Sequence, residues 1–221
     1  MAQTIVITGA GRGIGLALAR RWHERGDTVI AVGRGRPAAL DALGVRVIEH
    51  IDVGRDADMP RLQAALGDTA IDVLFHNAGV MHDESLQHMG IDGIREQFEV
   101  NALGPLRVTT ALLDRMGNGA RIGLLTSRMG SIADNDSGGR YGYRMSKAAL
   151  NAAGKSLALD LHARGIAVAI LHPGFVRTDM TGHNGHIDPE RAAEQLVARM
   201  DALDLASSGT FRHADGSVLP W

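Results

Sequence analysis

The sequence predicts an α/β domain: a doubly wound parallel sheet of about seven strands with helices on both faces, one domain over residues 1–221. Two observations carry this. Short runs rich in β-branched apolar residues alternate with longer helical patterns. Those runs are nearly continuous in apolar residues, as expected of strands covered on both faces.

Thr4–Thr8 reads as the first strand, Gly13–Arg25 as the first helix and Thr28–Val32 as the second strand. Val45–Ile48 follows as a third strand, then a helix over Met59–Leu66 and a fourth strand over Ile71–His76. Ile91–Met116 holds a long helical stretch, and Ala120–Ser127 is the fifth strand. A helix over Tyr143–Arg164 stops at Gly165, which suits the left-handed residue that ends helices. Ile166–Leu171 is the sixth strand. Asp188 is placed to cap a helix that has Pro189 at its first position, and Gly209–Arg212 forms a short last strand. Asn135-Asp136-Ser137-Gly138-Gly139 is the most loop-like stretch.

Bulk composition narrows the function. Basic and acidic residues nearly balance, with a formal charge of -2, so no polyanion-binding surface and no nucleic acid partner is expected. The absence of cysteine rules out disulfides, thiolate metal sites and a cysteine nucleophile. The N-terminus enters a strand at once, without a charged region or a long apolar run. No signal peptide or membrane partner is therefore expected, and the expected location is cytoplasmic.

Thr8-Gly9-Ala10-Gly11-Arg12-Gly13-Ile14-Gly15 joins the first strand to the first helix. Glycines there let backbone approach a pyrophosphate, and the helix start offers free N–H groups at its positive end. The spacing of Gly9, Gly13 and Gly15 departs from the usual dinucleotide fingerprint, and a tight turn without ligand is the competing reading. Farther on, Tyr143 and Lys147 stand four apart, on one helix face. A phenol with a reference pKa of about 10 is a poor acid at neutral pH, and a nearby ammonium favours its ionised form.

In this order and context the motifs resemble the single-domain short-chain dehydrogenase/reductase family, which implies a Rossmann-like fold. Thr8 through Gly15 resembles its Thr-Gly-x-x-x-Gly-x-Gly motif. Asp52-Val53 resembles the adenine-binding pair, and His76-Asn77-Ala78-Gly79 resembles Asn-Asn-Ala-Gly with His for the first Asn. Asn101, Ser127, Tyr143 and Lys147 match the family's catalytic set. Pro173-Gly174-Phe175-Val176-Arg177-Thr178 matches the segment that contacts the nicotinamide. Tyr143-Arg144-Met145-Ser146-Lys147-Ala148-Ala149-Leu150-Asn151 and the terminal Asp215-Gly216 through Pro220-Trp221 are similar to the C-factor subgroup, often described as carbonyl reductases.

The resemblance implies that Tyr143 exchanges a proton with the substrate oxygen. Lys147 lowers the phenol pKa and holds the nicotinamide ribose, Ser127 orients the substrate oxygen, and Asn101 holds a water behind Lys147. It implies cofactor contacts at Gly9, Gly11, Arg12, Gly13, Ile14, Gly15, Asp52, Val53, Asn77, Ala78, Gly79, Pro173, Gly174, Val176 and Thr178, besides Tyr143 and Lys147. Val32-Gly33-Arg34 ends the second strand without the acid an NAD site places there. Arg34, with Arg12 from the other side, is suited to a 2′-phosphate, so NADP is expected over NAD. Ser127 is preferred to Ser131 because Ser-x-x-Gly fits it, and Tyr143 to Tyr141 because Met145 stands four after the latter. His183 and His186 read as surface histidines, since no carboxylate or cysteine completes a metal site.

The function expected is NADP-dependent reduction of a small carbonyl, or oxidation of the matching alcohol. Two other classes compete. A regulatory or signalling nucleotide binder would not need all four catalytic-set residues. A sugar-nucleotide epimerase would need more chain after Thr178 for a substrate domain. A homodimer or homotetramer is expected through the Tyr143 helix, where Leu150, Ala153, Leu157 and Leu161 recur beside small Ala149 and Ala152.

Overall fold

The computed structural model describes residues 2–221. Seven strands form one sheet, in the order β3-β2-β1-β4-β5-β6-β7. They are β1 Thr4–Thr8, β2 Thr28–Val32, β3 Arg46–Ile48, β4 Val73–His76, β5 Arg121–Leu125, β6 Ala167–His172 and β7 Phe211–His213. Every pairing is parallel, with β1 and β4 in register Ile5↔Val73 through Thr8↔His76. Strand order reverses between β1 and β4. A doubly wound sheet opens its ligand crevice there, beyond the carboxyl ends of the strands.

Seven α-helices cover the sheet: α1 Gly13–Glu24, α2 Ala38–Leu43, α3 Met59–Leu66, α4 Ile91–Phe98, α5 Gly104–Leu112, α6 Tyr141–Asp160 and α7 Pro189–Asp201. The pleat sends alternate residues of one strand to opposite cores. On β1, Val6 packs with Leu62 of α3, Val108 of α5 and Leu150 of α6. Its neighbours Ile5 and Ile7 pack with Leu18 and Trp22 of α1, Leu40 of α2 and Leu196 of α7. Trp22 meets Phe75 edge to face, with ring centroids 5.6 Å apart. The near-continuous apolar strands are thus explained by two cores, one on each face.

The structure departs from the sequence-based elements at several points. The stretch over 91–116 is not one helix, because a π-turn over Glu99–Leu103 separates α4 from α5. Pro105 lies four residues past Asn101 and has no N–H for its carbonyl, which breaks the regular ladder there. α6 begins at Tyr141, and Leu161 leads into a 3₁₀ turn over His162–Arg164 that left-handed Gly165 closes. β5 stops at Leu125, so Ser127 lies past the strand and starts a 3₁₀ turn over Arg128–Gly130. Asp188 stands at the start of α7, but its carboxylate pairs with Arg177 at 2.7 Å and does not bond the helix N–H groups. α2 has no counterpart among the elements expected from sequence.

Candidate active site

The cleft at the switch point has a volume of about 500 Å³ and runs from the end of β2 to the first turns of α6. Gly9, Arg12, Gly13 and Ile14 form one wall, and Asn77, Ala78 and Gly79 stand opposite. Arg34, Asp52 and Val53 border one end; Tyr143, Lys147, Pro173 and Thr178 border the other. Residues far apart in sequence meet because β1, β2, β4 and β6 all end at this edge of the sheet.

The glycine turn is bolted to the β4 loop. The Asn77 side-chain amide donates to the carbonyls of Thr8 (3.2 Å) and Gly9 (2.8 Å). The Thr8 hydroxyl accepts from the N–H groups of Asn77 and Ala78, both at 3.2 Å. A side chain on Gly9 would meet Ala78 Cα at 2.7 Å, and Gly9 has φ +68°, so only glycine fits this close approach. Gly15 serves the same join from behind, against the Gly9 carbonyl and Asn77, and does not border the cleft. Gly11 packs against Pro37, Gly174 against His213 and Ile187, and Val176 is 3% exposed and bridged to Ile187. These four residues, expected to touch a ligand, do not line the cleft; Gly15 and Val176 are buried, and Gly11 and Gly174 half-buried.

Arg12 and Arg34 differ. Arg12 pairs with Asp179 at 3.0 Å across the cleft mouth, and His183 approaches the same carboxylate at 3.2 Å. Arg34 is exposed and has no side-chain hydrogen bond or ion pair among the described residues. Asp52 is turned inward on its own loop, where its carboxylate accepts from the Gly54 N–H at 2.9 Å.

At the other end, α6 brings Tyr143 and Lys147 to the cleft with their side chains 8% and 5% exposed. Burial raises the Tyr143 pKa above 10.0, while a hydrogen bond with Ser127 and the charge of Arg140 pull it back. Lys147 Nζ lies 5.8 Å from the phenol ring centre and donates to the Leu125 carbonyl at 2.8 Å. Burial lowers its own pKa to about 8. Desolvation is thus the largest influence on the phenol in this cleft, opposed by Ser127 and by the charge of Arg140. Arg140 was missed, because nothing in a Gly-Gly-Arg loop marks a charge facing the phenol.

Ser127 meets Tyr143, as the Ser-x-x-Gly pattern suggested. Ser131 is engaged elsewhere, its hydroxyl donating to the Trp221 carbonyl at 3.1 Å. Asn101 is fully buried and does not border the cleft. Its side chain accepts from Val80 N–H at 2.8 Å, donates to Val80 carbonyl at 2.8 Å and donates to Ser146 hydroxyl at 3.0 Å. This fixes the β4 loop to α6 one residue before Lys147. Thr126 donates to Asn151 at 2.6 Å, which ties the β5 end to α6 one turn past Lys147. Ser146, Thr126 and Asn151 are short polar residues in ordinary settings, and their spacing gave no signal. His76, the departure from Asn-Asn-Ala-Gly, is buried and bonds Thr109 at 2.9 Å, with its pKa lowered to about 3 by desolvation. It braces β4 against α5.

The residues fit a dinucleotide on structural grounds: a glycine wall closed to side chains, an unpaired guanidinium at one end and a phenol and an ammonium at the other. Among the described residues no group of three histidine or acidic side chains is arranged to hold a metal, and no helix is long and apolar enough to cross a membrane.

Known proteins agree with this architecture. Residues 3–187 match the family described as short chain dehydrogenase. The chain is 41% identical over 225 residues to 1-hydroxy-2-glutathionyl-2-methyl-3-butene dehydrogenase of Rhodococcus sp. (strain AD45), covering 99% of this chain and 100% of that one. It is 42% identical over 154 residues to the C-signal protein of Myxococcus xanthus, covering 68% of this chain and 93% of that one. The structure of a carbonyl reductase from Pseudomonas aeruginosa PAO1 in complex with NADP superposes with a TM-score of 0.88, at 31% identity and 100% coverage of both chains. Fold, ordered motifs and these similarities together establish that the chain belongs to the short chain dehydrogenase family, as an NAD(P)-dependent oxidoreductase.

Proposed function

We propose that the protein interconverts a small carbonyl compound and its alcohol with NADP(H), with Tyr143 as general acid and base. The observation that carries this reading is that Tyr143 and Lys147 border one end of a cleft whose other end offers the unpaired Arg34, with Ser127 bonded to the phenol. NADPH held in this cleft would supply the hydride for the carbonyl carbon. Ser127 donates a hydrogen bond to the carbonyl oxygen and orients it beside the phenol. Tyr143 gives its proton to that oxygen as negative charge develops, and takes it back in the alcohol direction. Lys147 holds a ribose hydroxyl, and its ammonium draws the phenol pKa down against the desolvation that raises it. Asn101 holds the loop and helix around Lys147 in place, and its carbonyl, which Pro105 cannot serve, is assigned the water behind the ammonium. Arg34 and Arg12 recognise the 2′-phosphate, and a missing acid after β2 removes the usual preference for NAD.

A set of aldehydes, ketones, quinones and glutathione-conjugated alcohols, assayed with NADPH, NADH and their oxidised forms by reduced-nicotinamide absorbance, tests this reading. The Rhodococcus relative makes the last class worth including. Tyr143→Phe should lose turnover by about two to four decades and keep its NADPH affinity; a variant retaining most of its kcat removes Tyr143 from the role. The similarity to C-signal keeps a regulatory reading in view. That reading predicts tight nucleotide binding with no turnover of any carbonyl in the same assay.

We further propose a homodimer or homotetramer working in the cytosol. The stripe on α6 serves the protein's own core, since Leu150 and Leu161 are buried and Ala153 and Leu157 half-buried. The face left for a second copy carries Met145 (49% exposed), Ala149, Ala152 and Leu159 (66% exposed).

A further inference from the structure

Tyr143 is the third residue of α6, so its hydroxyl is only as well placed as the first turn of that helix. Helix starts leave their N–H groups without intrahelical partners. Here Arg140 precedes the helix in a left-handed conformation, φ +49°, and provides no side-chain cap. The cap comes from another segment. Glu84, in the loop after β4, is 5% exposed. One of its carboxylate oxygens accepts from the Gly142 N–H at 3.2 Å. Its backbone carbonyl accepts from the Arg140 N–H at 2.9 Å. The other carboxylate oxygen accepts from the side-chain amide of Gln97 on α4.

Gln97 is fully buried, and its amide is oriented from both ends. Its oxygen accepts from the His82 N–H at 3.1 Å, and its nitrogen also donates to the Gly93 carbonyl at 3.2 Å. Gly142 completes the join. A Cβ there would lie 2.9 Å from Glu84 Oε1 and 3.0 Å from Ile94 Cα, and closer still to the Gln97 amide. The carboxylate has no cationic partner in this buried set. A buried carboxylate is costly unless its oxygens are filled, and here an amide and the positive end of a 20-residue helix fill them.

We propose that Glu84, with Gln97, is a positioning pair that caps α6 from outside and fixes the Tyr143 hydroxyl against Ser127. The proposal rests on Tyr143 being the proton donor. Removing the carboxylate charge while keeping its shape must break one bond. In Glu84→Gln, the new amide nitrogen faces either the Gln97 nitrogen or the Gly142 N–H, donor against donor. Exchanging the two residues, Glu84→Gln with Gln97→Glu, reverses the shared bond and restores the match of donor to acceptor between them and at Gly142. The amide now at position 84 donates to the carboxylate now at position 97, which still accepts from the His82 N–H. The oxygen of the position-84 amide accepts from the Gly142 N–H. At Gly93 the exchange is not compensated: the donor of the 3.2 Å bond becomes a carboxylate oxygen, which faces that carbonyl acceptor to acceptor.

The experiment measures kcat on a good carbonyl substrate, the NADPH dissociation constant and amide hydrogen exchange of residues 141–143. Glu84→Gln should lower kcat about tenfold or more, leave the NADPH dissociation constant within about twofold and speed exchange in the first turn of α6. The exchanged pair should recover kcat to within about threefold of the parent. Gly142→Ala, which pushes the same elements apart, gives the same pattern should Glu84→Gln not fold. Unchanged kcat and exchange in Glu84→Gln or Gly142→Ala overturns the proposal, as does an exchanged pair no better than the single variant. Hydrogen exchange is read without turnover, so it separates failure of the cap from failure of the role given to Tyr143.

Discussion

Cofactor binding should depend on pH through Lys147. In the free protein its ammonium is buried 5.8 Å from the Tyr143 ring centre, with the Leu125 carbonyl as partner and a pKa of about 8. A ribose hydroxyl bonded to the ammonium, and the negative charge of NADPH, favour the charged form. Binding above pH 8 must then take up a proton. The charged fraction in the free protein falls from about nine tenths at pH 7 to about one tenth at pH 9. The NADPH dissociation constant should therefore rise about tenfold over that interval, about 1.4 kcal/mol. Phosphate ionisation is about nine tenths complete at pH 7, since its second pKa is about 6, and its small remainder would strengthen binding as pH rises. Tyr143, raised above 10.0 by burial, titrates outside the interval. Fluorescence titration of NADPH at pH 7, 8 and 9 measures the slope. Lys147→Met should bind more weakly at pH 7 and show no slope, whereas Tyr143→Phe should keep it. A flat profile in the parent protein, or a slope that survives in Lys147→Met, would refute the reasoning.

Three further outcomes are expected. Arg34→Asp should weaken NADPH binding by about one to two decades, the worth of one charge-assisted pair, and improve NADH relative to it; an unchanged ratio of the two dissociation constants makes Arg34 a bystander. His76 and His172 both have pKa values lowered to about 3, so below their unfolded value of about 6.5 only the unfolded chain takes up their protons. Stability is then lost as pH falls, by about 2 kcal/mol per histidine at pH 5, and His76→Gln should remove its share from the pH 7 to pH 5 difference in urea unfolding; an unaltered difference excludes His76 as the source. Light scattering at micromolar concentration should give at least twice the monomer mass, and Leu159→Asp should lower it; a strictly monomeric, fully active protein contradicts the interface on α6.

The sequence by itself determined the strand and helix alternation, because a sheet covered on both faces demands continuous apolar runs and leaves a strong local pattern. It also determined the glycine turn beside the cleft and the Tyr143–Lys147 pair, since a backbone turn needs glycine at fixed places and one helical turn sets the spacing of four. Three matters were decided only by the tertiary structure. The six-residue α2 was invisible because it is too short for a helical period to show. Pro105 marks the break at Asn101 in the sequence, but the side-chain bonds that tie Asn101 to Val80 and Ser146 join segments distant in sequence. The pKa of Tyr143 depends on how deeply the phenol is buried and on Arg140 facing it, and neither is a property of residue spacing. Spacing fixes which side chains share a face, but desolvation and unlike neighbours arise only when separate segments close over them. The same holds for Glu84, an ordinary acid in a polar loop until the fold sets it against the start of α6.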